Sequence, residues 1–122
     1  MIPRMKSNSA NIQPRFRVNC GRNIAIGPGK AELLEHVQRA GSISEAAKRM
    51  GMSYMRAWTL VKTMERCFKK PLVAVARGGA KHGGAKLTEN GKLVLELYRK
   101  MESDSLKATV ETRRHILRLL AR

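Results

Sequence analysis

The stretch "SISEAAKRMGMSYMRAWTLVKTMERCFK", residues 42–69, constrains the fold of this chain more than any other. Ser42 followed by Glu45 fits the S-x-x-E capping box, which satisfies two backbone donors left open at a helix start. Ile43, Ala46, Ala47 and Met50 then recur at helical spacing, and the small alanines in that stripe permit a close crossing by another helix. Gly51 ends this helix, Met52 is expected to be buried at the turn, and Ser53 caps the next helix. In that helix Ala57, Leu60, Val61, Met64 and Phe68 fall on one side of a wheel with 3.6 residues per turn. Two short helices joined by a glycine turn of three to four residues form the helix-turn-helix pattern.

The flanking segments complete a small domain. Residues 1–14 are polar and basic with two prolines and read as a flexible arm. "RFRVNC" alternates, with Phe16, Val18 and Cys20 on one face, as a half-buried strand does. Gly21-Arg22 can turn the chain, and "NIAI" supplies a returning strand. "GPGKAELLEHVQRAG" has a proline at a helix start and a glycine after its end, with Leu33, Leu34 and Val37 as its apolar stripe. After the helix-turn-helix, Pro71 stops the third helix and "LVAVAR" and "AKLT" read as two short strands. The loop "RGGAKHGGAK" between them is then a hairpin tip, and a hairpin in this order makes a winged helix. "TENGKLVLELYRKM" begins at the capping residue Thr88 and carries Val94, Leu97 and Met101 as a stripe. Its phase breaks around "ESDS", and a second stripe follows at Leu106, Val110, Leu117 and Leu120. Little core remains for that stripe to cover, which suggests packing against a second copy of the chain. The expected fold is mainly α with small β-hairpins: a winged helix-turn-helix plus a C-terminal helix. The expected organisation is an arm (1–14), the winged domain (15–102) and a dimerising helix (103–122).

The charge speaks about partners. Twenty-five Lys and Arg stand against nine acids, a formal net charge of +16. No acid precedes Glu32, and none lies between Glu65 and Glu89, where Arg66, Lys69, Lys70, Arg77, Lys81 and Lys86 stand. A single basic run is usually a solvated face. Two acid-free blocks, one of them glycine-rich, point to a polyanion, and to nucleic acid in particular. No stretch approaches the roughly 18 apolar residues of a membrane span, and the start has no apolar core of a signal peptide. Cys20 and Cys67 form no C-x-x-C motif and read as free thiols in a reducing compartment. These features predict a cytoplasmic or nucleoid-associated protein.

The glycine-rich loop admits several chemistries. A nucleotide-phosphate loop needs Gly-Lys-Ser/Thr leading into a helix. Gly78 and Gly83 are suitably spaced, but Gly84 and Ala85 replace the Lys and Ser/Thr, and a strand follows. A metal site at His82 lacks local partners, because His36 and His115 are distant in sequence. The remaining alternatives are a solvated hairpin tip and a basic wing lying on nucleic acid. In the latter, glycines let the backbone approach phosphates, and releasing counterions around Arg77, Lys81 and Lys86 gives affinity. The candidate wing contacts are Arg77, Gly78, Gly79, Lys81, His82, Gly83, Gly84 and Lys86.

The third helix supplies the second candidate surface. Opposite its apolar stripe lie Met55, Thr59, Lys62 and Arg66, flanked by Arg56, Thr63 and Trp58. A recognition helix presents early residues to base edges and its flanks to phosphates. Arg56 could pair bidentately with guanine, and Thr59 or Met55 could touch a thymine methyl. Lys62, Thr63 and Arg66 suit phosphate. With Ser53 and Tyr54 at its start, the candidate set is Ser53, Tyr54, Met55, Arg56, Thr59, Lys62, Thr63 and Arg66. For each residue the alternative is a plain solvated helix surface. Trp58, at the border of the apolar stripe, is expected to pack against Tyr54 or the wing.

The run "GSISEAAKRMGMSYMRAWTLVKTME", then "PLV", then "GGAKHGGAKLTENG", resembles the N-terminal DNA-binding domain of the molybdate-responsive ModE-type transcription regulators, a relative of the LysR-type winged helix. "S-Y-x-x-A-W" and the double-glycine wing favour the molybdate family, and the likeness covers roughly residues 16–102. The resemblance implies a winged helix-turn-helix, a homodimer and a palindromic double-stranded DNA operator. By position it makes Ser53 to Lys62 the recognition segment and Arg77 to Lys86 the wing. Full-length family members continue into an oxyanion-binding domain, whereas this chain ends at Arg122, so molybdate binding is not expected of it.

The expectation is therefore a sequence-specific DNA-binding regulator, with no catalytic residues, metal or cofactor, dimerising through its C-terminal helix and N-terminal hairpin. Three rivals remain: an architectural DNA-binding protein with little sequence preference, an RNA-associated protein, and a small enzyme using the loop as an anion site. The RNA reading is weakened by the lack of exposed stacking aromatics.

Overall fold

A computed structural model describes residues 10–76 and 83–121. Among them are two antiparallel two-stranded hairpins and five helices. The chain enters through β1 (Val18–Cys20) and β2 (Asn23–Ile26), turning at Gly21. Three helices follow, α1 (Pro28–Ala40), α2 (Ile43–Arg49) and α3 (Tyr54–Cys67). The second hairpin, β3 (Val73–Val75) with β4 (Ala85–Leu87), pairs Val73 with Leu87 and Val75 with Ala85. Helices α4 (Glu89–Ala108) and α5 (Val110–Arg118) complete the order of a winged helix-turn-helix with a C-terminal extension. Of the arm, residues 10–14 have no regular structure and residues 1–9 lie outside the described part.

The helix starts are written in hydroxyl side chains. The Ser42 hydroxyl accepts from the Glu45 amide at 3.0 Å, and the Ser53 hydroxyl from the Arg56 amide at 3.1 Å. Each such cap contributes about 1 kcal/mol. Only the serine half of the expected capping box is observed; the Glu45 carboxylate lies 3.9 Å from Lys48 and 4.0 Å from Arg49. Between α2 and α3 the chain turns at Gly51, whose φ of +69° disfavours any side chain. There the Met52 amide donates to the Ala47 carbonyl at 3.0 Å, and the Met52 side chain packs against the core.

The core gathers where α1, α2 and α3 meet the second hairpin and α4. Leu33, Leu34 and Val37 of α1 are fully buried. They meet Ala46 and Ala47 of α2, Ala57, Val61 and Met64 of α3, and Leu72 just before β3. Burying one such leucine contributes about 1.5–3 kcal/mol. The α3 stripe is as expected, with Leu60 and Phe68 half-buried at its edge. The helix itself ends at Cys67, and Phe68 is already extended.

Two expectations for α4 change. Its core-facing residues are Gly91, Leu95 and Tyr98, whereas Leu97 and Met101 are 54% and 37% exposed. The cause is a close approach: a Cβ on Gly91 would lie 2.1 Å from the Leu72 carbonyl oxygen. Only glycine lets the helix settle there, and this contact sets its rotation. Tyr98 fixes the next turn by donating its hydroxyl to the Phe16 carbonyl at 2.7 Å. The phase break near "ESDS" is not a break in the helix, which runs through to Ala108. Ion pairs between Arg99 and Glu102 and between Lys100 and Asp104 span that stretch. The helices part at Thr109 instead, and α5 buries no residue.

Candidate nucleic-acid interface

Helix α3 presents the expected outer face. Ser53, Tyr54, Met55, Arg56, Thr59, Lys62 and Arg66 are exposed, and Thr63 is half-buried. Met55 is 64% exposed, too open for a core methionine. Ser53 is the N-cap, so its hydroxyl oxygen is engaged with the Arg56 amide. Arg66 reaches back along the helix to the Thr63 hydroxyl at 3.5 Å.

A ladder of side chains at four-residue spacing runs along one flank. The Tyr54 and Trp58 rings stack with centroids 6.2 Å apart, the packing expected for Trp58. The Lys62 ammonium lies 4.5 Å from the Trp58 ring centroid, a cation–π contact. It is also 3.6 Å from the Glu65 carboxylate. Lys62 is thus a held cation and not a freely waving one.

Glu65, outside the candidate set read from the sequence, joins this face to the second hairpin. Its other carboxylate oxygen accepts from the Leu72 and Val73 amides, both at 3.0 Å, where the chain enters β3. The available signal was its isolation, since it is the only acid between Glu45 and Glu89.

The base of the second hairpin is sewn to the helical body. The Ala85 amide donates to the Gly41 carbonyl at 2.8 Å, and Ala76 donates to the Gly84 carbonyl at 2.8 Å. A Cβ on Gly84 would stand 3.3 Å from the Gly41 carbonyl oxygen. Gly84 therefore serves the hairpin's seat, and Gly83 beside it is half-buried. Lys86 points outward between buried Ala85 and Leu87. A shallow groove of about 440 Å³ runs between this base and Gly41. The proposed tip contacts Arg77, Gly78, Gly79, Lys81 and His82 lie outside the described residues.

No group of three or more His, Cys, Asp or Glu side chains gathers to hold a metal among the described residues. No described helix is long and apolar enough to cross a membrane. Cys20 and Cys67 are free thiols. They are also neighbours: a hydrogen bond with Cys20 pushes the Cys67 thiol up from its ordinary range, aided by burial.

The profile of bacterial regulatory helix-turn-helix proteins of the lysR family matches residues 29–92, just over half of the chain. The chain belongs to that family. The match spans α1 through the start of α4, and so covers both α3 and the second hairpin. Among individual relatives, the molybdenum transport protein ModE of Azotobacter vinelandii is 38% identical over 88 residues, 72% of this chain and 33% of its own length. The transcriptional regulator ModE of Haemophilus influenzae is 37% identical over 107 residues, 88% of this chain and 40% of the relative. The DNA-binding transcriptional dual regulator ModE of Escherichia coli K12 is 41% identical over 71 residues, 58% of this chain and 27% of the relative. The chain thus spans about a third of the length of the curated relatives it matches.

Proposed function

We propose that this chain binds double-stranded DNA with sequence preference and acts as a transcription regulator of the ModE/LysR-like type. One observation carries the proposal: a capped helix α3, second in a helix-turn-helix, turns Met55, Arg56, Thr59 and Arg66 to solvent. Two of the relatives bear names of transcription regulators, which supports the same role. Arg56 and Thr59 are assigned to base edges in the major groove. Arg66, Lys62 and Lys86 are assigned to phosphates, together with the tip residues Arg77 and Lys81. A regulator of this kind works beside the chromosome, in the cytoplasm.

The active unit is proposed to be a homodimer. An apolar groove of about 220 Å³ is lined by Val18, Ile26, Phe68, Val94, Leu97, Tyr98 and Met101, joining the first hairpin to α4. Val110 and Ile116 of α5, with Leu119 and Leu120 just beyond its end, add further exposed apolar surface. A second copy covering these faces would set two recognition helices about one DNA turn, or a multiple of it, apart.

Selection of bound sequences from random duplexes tests both claims. An inverted repeat is the expected outcome. Flat enrichment would instead establish an architectural protein with little sequence preference. The Arg56→Ala variant is expected to relax discrimination at one position by about 1–3 kcal/mol.

A further inference from the structure

Glu65 stands where a carboxylate is doubly unfavourable. It occupies the last turn of α3, and a helix C-terminus repels negative charge. It is also the only acid between Glu45 and Glu89, in the segment assigned above to a polyanion. Yet its side chain is only 15% exposed, so the charge is turned inward.

Its contacts account for the exception. One oxygen accepts from the amides of Leu72 and Val73, both at 3.0 Å. These residues are 0% and 6% exposed, so without Glu65 their amides would lose a buried acceptor. The other oxygen lies 3.6 Å from the Lys62 ammonium, which rests 4.5 Å from the Trp58 ring centroid. One carboxylate therefore touches the outer face of α3 and the root of the second hairpin at once.

We propose that Glu65 is a positioning residue for duplex binding: its carboxylate fixes the root of the β3–β4 wing to the recognition helix and holds Lys62, so that both surfaces meet one duplex as a unit. The inference rests on the DNA-binding function proposed above. A cation held in place loses less freedom on reaching a phosphate, and a hairpin with a fixed root keeps Lys86 of β4 in register with the cations of α3. The same pair also moderates non-specific attraction, because Lys62 arrives partly neutralised.

The test compares the full chain with Glu65→Ala and Glu65→Gln. Glutamine keeps an oxygen that can accept from the two amides and discards the charge beside Lys62. Duplex affinity is measured over a salt series, with hydrogen exchange at the Leu72 and Val73 amides as an independent readout. In E65A these amides exchange faster, affinity falls about tenfold or more, and the slope of log K against log salt becomes shallower by about one to two units as wing contacts are lost. In E65Q the amides stay protected, affinity stays within about threefold, and the slope steepens by up to about one unit as Lys62 is released. A purely structural role predicts a less stable E65A whose folded fraction binds with unchanged affinity and slope. That result overturns the inference, as does an E65Q that keeps its amides protected yet loses as much binding as E65A. Should E65A fail to fold, Lys62→Met reads the other half: a slope shallower by about one unit is expected, and an unchanged slope overturns the role given to the pair. If the unaltered chain binds no duplex at low ionic strength, the DNA-binding proposal itself fails and this inference falls with it. Binding by the unaltered chain without an effect of the variants removes only the inference.

Discussion

Helices α3 and α5 are both amphipathic, yet they stand in opposite relations to the rest of the molecule. Helix α3 buries Ala57, Val61 and Met64 and leaves polar and basic residues outside. Helix α5 buries nothing and leaves Val110 and Ile116 exposed, with Leu119 and Leu120 just beyond its end 84% and 50% exposed. The apolar face of α3 is answered within the chain, while that of α5 is left uncovered among the described residues. Periodicity reveals that a helix has an apolar side, but not which surface completes it. That depends on whether enough core remains to be covered, and by α5 the residues of α1, α2, α3 and the second hairpin have already filled it.

The contrast is broken or sharpened most strongly by truncating leucines. Leu34→Ala, at a fully buried site, is expected to lower unfolding free energy by about 2–5 kcal/mol. Leu120→Ala is expected to shift it by less than about 0.5 kcal/mol when the chain is dilute. Urea unfolding measures both, and similar losses would mean that α5 belongs to the same core. A second comparison uses one substitution at two helical glycines. Gly91→Ala forces a methyl against the Leu72 carbonyl and should cost about 1–3 kcal/mol. Gly29→Ala, with nothing within 4 Å of the new carbon, should stabilise by up to about 1 kcal/mol. Thermal unfolding of the two variants should therefore move in opposite directions.

Leu97→Glu probes the groove side of α4. At 54% exposure, its effect on unfolding of the dilute chain is expected to stay within about 0.5 kcal/mol. Self-association should weaken by about tenfold or more, because a charge would be desolvated at the interface. Sedimentation over a concentration series reads this, and unchanged association would move the dimer contact elsewhere.

The smallest expected effect concerns pH. The Arg99 guanidinium grips both Glu35 oxygens at 2.8 Å, tying α4 to α1. This hydrogen bonding holds the Glu35 carboxyl below its ordinary range. A depressed folded-state pKa contributes stability that is fully present above the unfolded value, about 4.3, and is lost as pH falls through the lower folded value. Glu35→Gln should therefore flatten part of the acid limb of the stability profile and leave its pH dependence near neutrality unchanged.

Much of the fold was legible because its punctuation is local. Ser42, Ser53 and Thr88 mark helix starts through bonds to amides three residues on, and such signals need no knowledge of tertiary structure. The rotation of α4 was not legible, since it follows from a contact between Gly91 and Leu72, nineteen residues apart. The stripe of Val94, Leu97 and Met101 is real, but only Val94 also packs against the core, and Leu97 and Met101 line a groove at its edge. The outer face of α3 was readable as the complement of its apolar stripe. The inward turn of Glu65 was not, because its partners lie beyond the end of its own helix.

Helix α4 has a geometric consequence of its own. Beyond Tyr98 no described residue is buried, yet the helix continues to Ala108. At 1.5 Å per residue, Ala108 stands about 15 Å past the last buried residue. The helix therefore works as a spacer that sets the distance and direction at which α5 leaves the helical body. Adding or deleting a single residue there would swing α5 by about 100° around the helix axis, so the length of α4 sets where the apolar residues of the C-terminal segment face.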